Sequence, residues 1–364
     1  MKKYIKIFAI LVVVALIIWL AYSFLYKSLA VQELIGGVFP PGELTSEQPA
    51  SEGQLVKPKF YAITQTPIFD YWVNSQNNSI YYLDEFGQVI RISNNSEEQV
   101  NSRTLAKLNK IEASSDGSYG LAKFNFPNSP IFAIFDTPTN SWQPLPTGTI
   151  SAAWSSNSPE LLFADDKSLN IFDVTKQKIS KILDLSQKEL EIAWVSSSTA
   201  LFSTQSSAEL ESSLWSLDLI QKNLKPLIQN EAGLTLKWFK NSEFGLKLFN
   251  KEGTAYLNLI DHSGKILETF NFMTFPSKCL VDKLKIYCAV PKNINPEVRW
   301  PDDYYKKSVY FDDALYLIDL EAGETIELVT GSETIIDAEH LELYQDSLLF
   351  KNRLDGKLYG IRLE

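Results

Sequence analysis

Two histidines, His262 and His340, and two cysteines, Cys279 and Cys288, are all that this 364-residue chain offers in imidazole and thiol. A structural zinc site, an iron–sulfur cluster or a histidine-rich catalytic metal centre each needs more ligands than that. Nucleophilic hydrolysis has little support either. There is no G-x-S-x-G elbow, and His262, in the turn IDHSGK, and His340, at the start of a predicted strand, lack a patterned Ser or Asp partner. The acids best placed for chemistry are Asp70, Glu112, Glu191 and Glu342, near the starts of predicted innermost strands. A glycosidase would need two of them to converge. Hydrated channel carboxylates are the favoured reading, so no catalytic, cofactor-binding or metal-binding residue is assigned and the chain is read as not an enzyme.

Two further groups stand out by position. Cys279 and Cys288 flank the hairpin CLVDKLKIYC and fall opposite each other across a two-residue turn. That spacing is open to a structural disulfide or to two buried thiols. Residues 291–314, PKNINPEVRWPDDYYKKSVYFDDA, exceed what the surrounding pattern needs and carry Arg299, Trp300, Asp302, Asp303, Tyr304, Tyr305, Tyr310 and Phe311. Exposed Trp, Tyr and Arg mark recognition hot spots, which makes this a candidate partner-binding loop. The alternative, which is favoured, is a lid whose aromatics pack downward. Asp302, Asp303, Asp312 and Asp313 lack the regular spacing of a calcium loop.

What positions these residues is a repeat. Residues 149–187 read as four short strands, ISAAW, ELLFA, LNIFDV and KISKILDL, separated by polar turns. One four-stranded sheet cannot bury both faces, so it needs neighbours of its own shape. Aligning innermost strands on Trp154 gives Trp72, Ser114, Trp154, Trp194, Trp238, Val281 and Tyr344, at intervals of 40–44 residues except the last, which is 63. Seven anchors predict an all-β, seven-bladed β-propeller over residues 55–364, with the 291–314 insertion accounting for the long interval. The tryptophans are read as packing between blades. Asp136, Asp173, Asp218 and Asp319, which end third strands, are read as caps of the following turns. The last unit, EHLELY, SLLFKN and KLYGIRL, is one strand short, and residues 55–64 are predicted to complete it, which removes two open edges.

The segment AWSSNSPELLFADDKSLNIFDV, together with SSDGSYGLA at 114–122, resembles the repeat of TolB-like and WD40-like propellers, whose blades carry a W-S-P-D-G-K pattern followed by apolar strands. The resemblance implies a propeller fold and a scaffold or binding role. Most repeats here lack the D-G turn, and the Gly-His and Trp-Asp pairs of strict WD40 repeats are absent.

Ahead of the repeats, residues 7–26 are uncharged and apolar, long enough for a helix of about 30 Å, the thickness of a bilayer core. Lysines precede the run, while Trp19, Tyr22 and Tyr26 lie toward its far end. That places residues 1–6 in the cytoplasm and the remainder outside. A signal anchor is favoured over a cleaved signal peptide because the apolar run exceeds the usual core. Residues 27–54 read as a Pro/Ser/Glu-rich tether. The chain carries −10 overall, and the four lysines of its first 30 residues stand without an acid, leaving −14 for the rest. Such a domain repels phosphate backbones, so nucleic acid is excluded as a partner. The expectation is a single-pass, extracytoplasmic propeller acting as a non-catalytic interaction module for envelope proteins. Two alternatives are a propeller hydrolase or lyase acting on glycan or peptide through axial Asp and Glu residues, and a small-ligand sensor.

Overall fold

Short apolar runs closed by Asp and Asn turns have nowhere to bury a second face except against a like neighbour, and the strands assemble accordingly. The computed structural model describes residues 60–363, except 95, 186, 188, 189, 205, 240, 241 and 330–333. After a short strand β1 (Phe60–Ala62), the first unit holds β2 (Ile68–Asn74), β3 (Ser79–Asp84), β4 (Val89–Ser93) and β5 (Ser96–Asn101), paired antiparallel in chain order. The second, β6 (Lys110–Ala113) to β9 (Ser141–Pro144), and the third, β10 (Ser151–Trp154) to β13 (Lys178–Asp184), repeat the arrangement.

A seven-stranded sheet follows. Its 16-residue strand β17 (Asn223–Trp238) ends one unit, begun by β14 (Glu191–Ser196), β15 (Thr199–Ser203) and β16 (Glu211–Asp218). The same strand begins the next unit, with β18 (Phe244–Lys251), β19 (Thr254–Asp261) and β20 (Ile266–Thr269). The sixth unit holds β21 (Cys279–Asp282), β22 (Lys285–Pro291), β23 (Asp313–Asp319) and β24 (Glu324–Glu327). The seventh holds β25 (Ala338–Tyr344), β26 (Ser347–Asn352) and β27 (Leu358–Arg362). Its fourth strand is β1 (Phe60–Ala62), with Phe60 opposite Ile361 and Ala62 opposite Tyr359. The expected closure of the last unit by the start of the domain is thus observed for residues 60–62. Residues 55–59 lie outside the described residues.

The core lies between units. Trp72 is fully buried, stacks on Tyr81, and donates its indole N–H to the Gly117 carbonyl of the second unit at 3.2 Å. Trp154 donates to the Glu112 carbonyl at 3.0 Å. Each tryptophan therefore ties its sheet to the neighbouring one while filling the wedge between twisted sheets. Gly117 explains the S-x-D-G segment: its φ is +75°, and a Cβ there would lie 1.9 Å from the Val73 carbonyl oxygen, a position no other residue can occupy. Asp173, Asp218 and Asp319 accept backbone N–H groups of the following turn at 2.8–3.0 Å, and Asp136 accepts the Thr139 hydroxyl. All four cap turns, as their positions predict.

Cys279 and Cys288 are joined in a disulfide across β21 and β22, with Cα atoms 4.2 Å apart, and both are buried in the core of the sixth unit. The predicted anchor 7–26 and tether 27–54 lie outside the described residues. Among the described residues, no helix is long and apolar enough to cross a membrane.

Candidate active site at the axial mouth

The innermost strands touch one another in succession, β21 against β25, β25 against β2, β2 against β6, and β10 against β14. Their starts therefore share one end of a central mouth. Two polar clusters gather there.

The first joins units seven and one. β2 carries Asp70 near its start and β25 carries His340 and Glu342. The His340 Nδ1–H donates to Asp70 Oδ1 at 2.5 Å, and Nε2 lies 3.9 Å from Glu342 Oε1, so the ring holds a carboxylate on each edge. Tyr71 packs at a tilt against the imidazole, 4.8 Å between centroids, and donates its hydroxyl to the His340 carbonyl at 2.6 Å. Lys351 bridges the Phe69 carbonyl (2.7 Å) and Glu339 (3.0 Å) just behind. His340 adopts φ +53° where the pairing of β25 with β26 slips between Glu339 and Glu342. Left-handed backbone in a non-glycine residue costs about 1–2 kcal/mol, and a bulge re-aims the side chain it carries. The slip turns the imidazole toward Asp70, 270 positions away in sequence.

Burial alone would depress the imidazole, but the Asp70 charge and hydrogen bond, with Glu342, override it and lift His340 to about 9. Burial would likewise raise Asp70, yet His340 and Lys351 hold it below the ordinary carboxylate value. Burial, reinforced by the Glu342 and Asp70 charges, keeps the Tyr71 phenol protonated. At neutral pH the group is an imidazolium clamped by an ionised aspartate. A quarter of the His340 side chain remains accessible.

The second cluster spans units two, four, five and six. Lys110 and Lys123 face each other across β6 and β7 (Tyr119–Phe124), a like-charge pairing that Glu112 offsets, its carboxylate 2.5 Å from the Lys110 ammonium. Burial lowers Lys123, and Lys110 lowers it further. Burial opposes the charge on Lys110 also, but Glu112 and Glu191 raise its pKa. Into this cluster reaches Tyr305, within hydrogen-bonding distance of Thr235; burial and the Glu191 charge push its phenol up to about 12. Lys110 and Tyr305 keep over half their surface accessible.

The 291–314 segment sets Tyr305 in place. Its short helix α1 (Asp302–Tyr305) is seated on Phe275, whose ring stacks on Tyr304 at 3.8 Å and lies 4.7 Å from Trp300. Trp300, Tyr304 and Phe311 are buried, so these three do not form an exposed binding surface: the apolar rings prefer the core, and the segment folds down as a lid. Asp302 accepts the Ala208 N–H at 2.8 Å, Asp303 accepts the Arg299 N–H at 2.8 Å, and Arg299 pairs with Glu209 at 2.5 Å. Asp312 pairs with Lys292 and Asp313 with Lys278, so the four aspartates point to four different partners. Tyr305 and Tyr310 remain exposed.

Under the lid lies a sealed ionic network that the sequence did not signal. Lys278, wholly buried, binds Asp313 at 2.5 Å and Asp337 at 2.6 Å. Arg353 binds Asp337 at 2.9 Å, donates to the Tyr304 carbonyl at 3.2 Å and stacks 4.0 Å above the Tyr304 ring. Burial, against the Lys278 charge, raises Asp313 to about 6. A cavity of about 340 Å³ lined by Arg103, Phe132 and Leu145, beside Lys123, gathers no group of ionisable side chains.

Sequence reasoning placed Asp70, Glu112, Glu191 and Glu342 at the mouth but paired none of them. The structure pairs Asp70 with Glu342 through His340 and groups Glu112 and Glu191 around Lys110. His340 was missed as a partner because the bulge that aims it leaves no mark in the repeat. His262 packs edge-on against Trp238 in its turn and joins neither cluster.

No protein-family profile matches the chain, and the search of curated proteins gave no match; neither a TolB-like nor a WD40-like family is assigned. Solved structures do align. An oligogalacturonate lyase in complex with manganese superposes with a TM-score of 0.56 at 11% identity, over 85% of this chain and 97% of that one. An oligogalacturonate lyase from Vibrio parahaemolyticus gives 0.56 and 11%, over 85% and 98%. A set of WD40 repeats gives 0.52 and 11%, over 84% and 97%. Among the described residues no group of three or more His, Cys, Asp or Glu side chains is arranged to hold a metal ion, so manganese is assigned no ligands here. The expectation of a non-catalytic scaffold is corrected on two grounds. Two of the propellers that align over most of both chains are lyases, and the convergent axial acids that a scaffold would lack are present around His340. What the alignments establish is the fold, an all-β propeller of four-stranded antiparallel sheets.

Proposed function

We propose that the chain is a seven-bladed propeller whose axial mouth cleaves a saccharide linkage by acid–base chemistry, as a lyase or hydrolase. The observation that carries this reading is the Asp70–His340–Glu342 group: an imidazolium held by one carboxylate, with a second carboxylate at its other edge, partly open to the mouth. Lyases and hydrolases share one requirement, a proton for the departing glycosidic oxygen. His340, protonated up to about pH 9, supplies it from Nε2, with Asp70 fixing the ring and keeping it charged. Glu342, across the imidazole, is placed to take a proton, from water in hydrolysis or from the carbon α to a uronate carboxylate in elimination. The tyrosines Tyr71 and Tyr305 stay neutral and serve as hydrogen-bonding partners. The lyase neighbours support a saccharide as substrate.

Incubation with oligogalacturonates and with neutral glycans, following new reducing ends and the ultraviolet absorbance of an unsaturated product, tests the assignment. Unsaturated ends identify elimination, and saturated ends identify hydrolysis. His340→Gln and Glu342→Gln should each lower turnover by about 10²–10⁴-fold. Absence of cleavage across the panel, or full activity in both variants, would remove this reading.

We further place the propeller outside a membrane, tethered through residues 7–26. The Cys279–Cys288 disulfide supports that placement, because such bonds persist in oxidising compartments. Fractionation of the full chain against one lacking residues 1–27 checks it. Equal partition of both into the soluble fraction would overturn it.

A further inference from the structure

Both strands that carry the axial group break register at the residues concerned. In β2 the pairing with β3 slips between Ile68 and Asp70, and in β25 the pairing with β26 slips between Glu339 and Glu342. The innermost strands β6, β10 and β21 pair without a slip. A bulge leaves backbone groups outside the ladder, and here each unit supplies a partner for the other's bulge. Lys351 of the seventh unit donates to the Phe69 carbonyl of the first at 2.7 Å, and Tyr71 of the first donates its hydroxyl to the His340 carbonyl of the seventh at 2.6 Å. Tyr71 acts a second time through its backbone, whose N–H donates to Asp70 Oδ1 at 2.9 Å. One residue thus holds both the backbone of the histidine and the carboxylate that the histidine binds.

The ring and the hydroxyl of Tyr71 have separate tasks. The ring is wholly buried among Ile68, Ile80, Leu349 and Leu358, the apolar seam between the two units, so it meets no substrate. The hydroxyl adds nothing apolar to that seam. What it meets is a carbonyl on left-handed backbone, φ +53°, a conformation that a non-glycine residue keeps only where its surroundings hold it. We propose that Tyr71 is a positioning residue, whose hydroxyl keeps His340 in the left-handed bulge and so keeps the imidazole on Asp70. Its bearing on cleavage rests on the assignment of the mouth as a saccharide-cleaving site; the positioning itself does not. Without the hydroxyl, His340 relaxes toward extended backbone, the Asp70 contact opens, and burial is left to act on the ring. The charged neighbours that remain are Glu342 on its own strand and, beside Asp70, Lys351 on β26.

Two measurements on the full chain test it. The first needs no substrate: the two imidazoles are titrated by nuclear magnetic resonance, with His262 as internal reference. Native His340 should titrate at about 9, and Tyr71→Phe, which retains the buried ring, should make it at least about tenfold easier to deprotonate. Tyr344→Phe is the control. Tyr344 ties the same two units from the other end of β25, donating its hydroxyl to the Asn78 carbonyl at 2.9 Å, and its loss should leave His340 at the native value. A native titration in Tyr71→Phe overturns the proposal. An equal fall in Tyr344→Phe overturns it too, since the effect would then belong to the seam as a whole. In the second measurement, with oligogalacturonates, Tyr71→Phe should lower kcat by about tenfold or more while KM stays within about twofold, because the residue acts through His340 and binds no substrate. A raised KM with unchanged kcat contradicts the assigned role. If His340 shifts as stated while the native protein cleaves no saccharide, the positioning stands and the saccharide assignment falls.

Discussion

Two ionic groups reach the seventh unit a few residues apart, at Asp337 and His340, and differ in almost every respect. The Lys278–Asp313–Asp337–Arg353 network is closed: three of its four side chains are wholly inaccessible, Arg353 is 3% exposed, and its charges bind backbone as well as one another. The Asp70–His340–Glu342 group has the same mix of signs but sits on strained backbone with a quarter of the imidazole open. Removing charges from water is costly unless partners offset them, and charges that pair with one another inside the fold are out of reach of a ligand. The open group has the opposite property. Its histidine stays charged in the physiological range and faces the mouth, which is what distinguishes a group that acts on something from one that holds a lid.

If that distinction is right, breaking the closed network should cause the larger loss of stability. Lys278→Met leaves two aspartates buried with one cation, and unfolding in denaturant should show a loss of about 3–5 kcal/mol. The His340 titration, followed by nuclear magnetic resonance, should not move. A loss under 1 kcal/mol would mean that the network is not sealed in solution.

The open group should yield less stability and more pH dependence. His340 is raised in the folded state above its ordinary 6.5, so its contribution is fully present below that value and is lost as pH rises through about 9. Asp70 is lowered, so its contribution is present above its ordinary 3.8 and is lost as pH falls below it. The native protein should therefore lose roughly 3 kcal/mol between pH 6.5 and 10 through this pair, and His340→Gln should flatten that limb. In Asp70→Asn the imidazole, left with burial and Glu342, should titrate well below 9. Asp313 runs the other way: raised to about 6, it favours folding most below pH 3.8, and its contribution declines as pH rises through 6. Asp313→Asn should remove that acid-side slope while leaving the alkaline limb intact.

The contrast also accounts for what the sequence could and could not reveal. Residues 149–187 fold as the four strands their alternation predicts, because half-buried strands and Asp-capped turns are local and repeat. The tryptophan anchors and the closing strand were legible for the same reason, fixed by spacing within or between repeats; the same spacing set Cys279 opposite Cys288 but left open whether they bond, which the structure answers with a disulfide. The acids of the mouth were legible as positions. Their pairing was not, because Asp70 and His340 meet only when the first and last units close, and only because a bulge turns His340 off the regular pleat. Lys278 and Asp337 were invisible since a buried charge in a repeat looks, in sequence, like any surface residue. In the insertion, composition showed aromatics and acids but not which way they faced; three of the rings proved to be core.

The lid offers the finest test, because it joins the two regions and is held from both sides. Its inner support is the sealed network; its outer support includes Arg299–Glu209, a pair with both partners more than half exposed. Exposed pairs contribute about 0.2–1 kcal/mol and weaken with salt, so Arg299→Ala should cost under 1 kcal/mol in global unfolding. Tryptic cleavage after Lys306 and Lys307 in the native protein reads the lid alone. If the inner support dominates, Arg299→Ala leaves cleavage within about twofold of native, whereas Arg353→Ala, which frees the Tyr304 carbonyl and ring, accelerates it well beyond that. Equal acceleration in the two variants would mean that the surface tie, and not the sealed network, holds the lid in place.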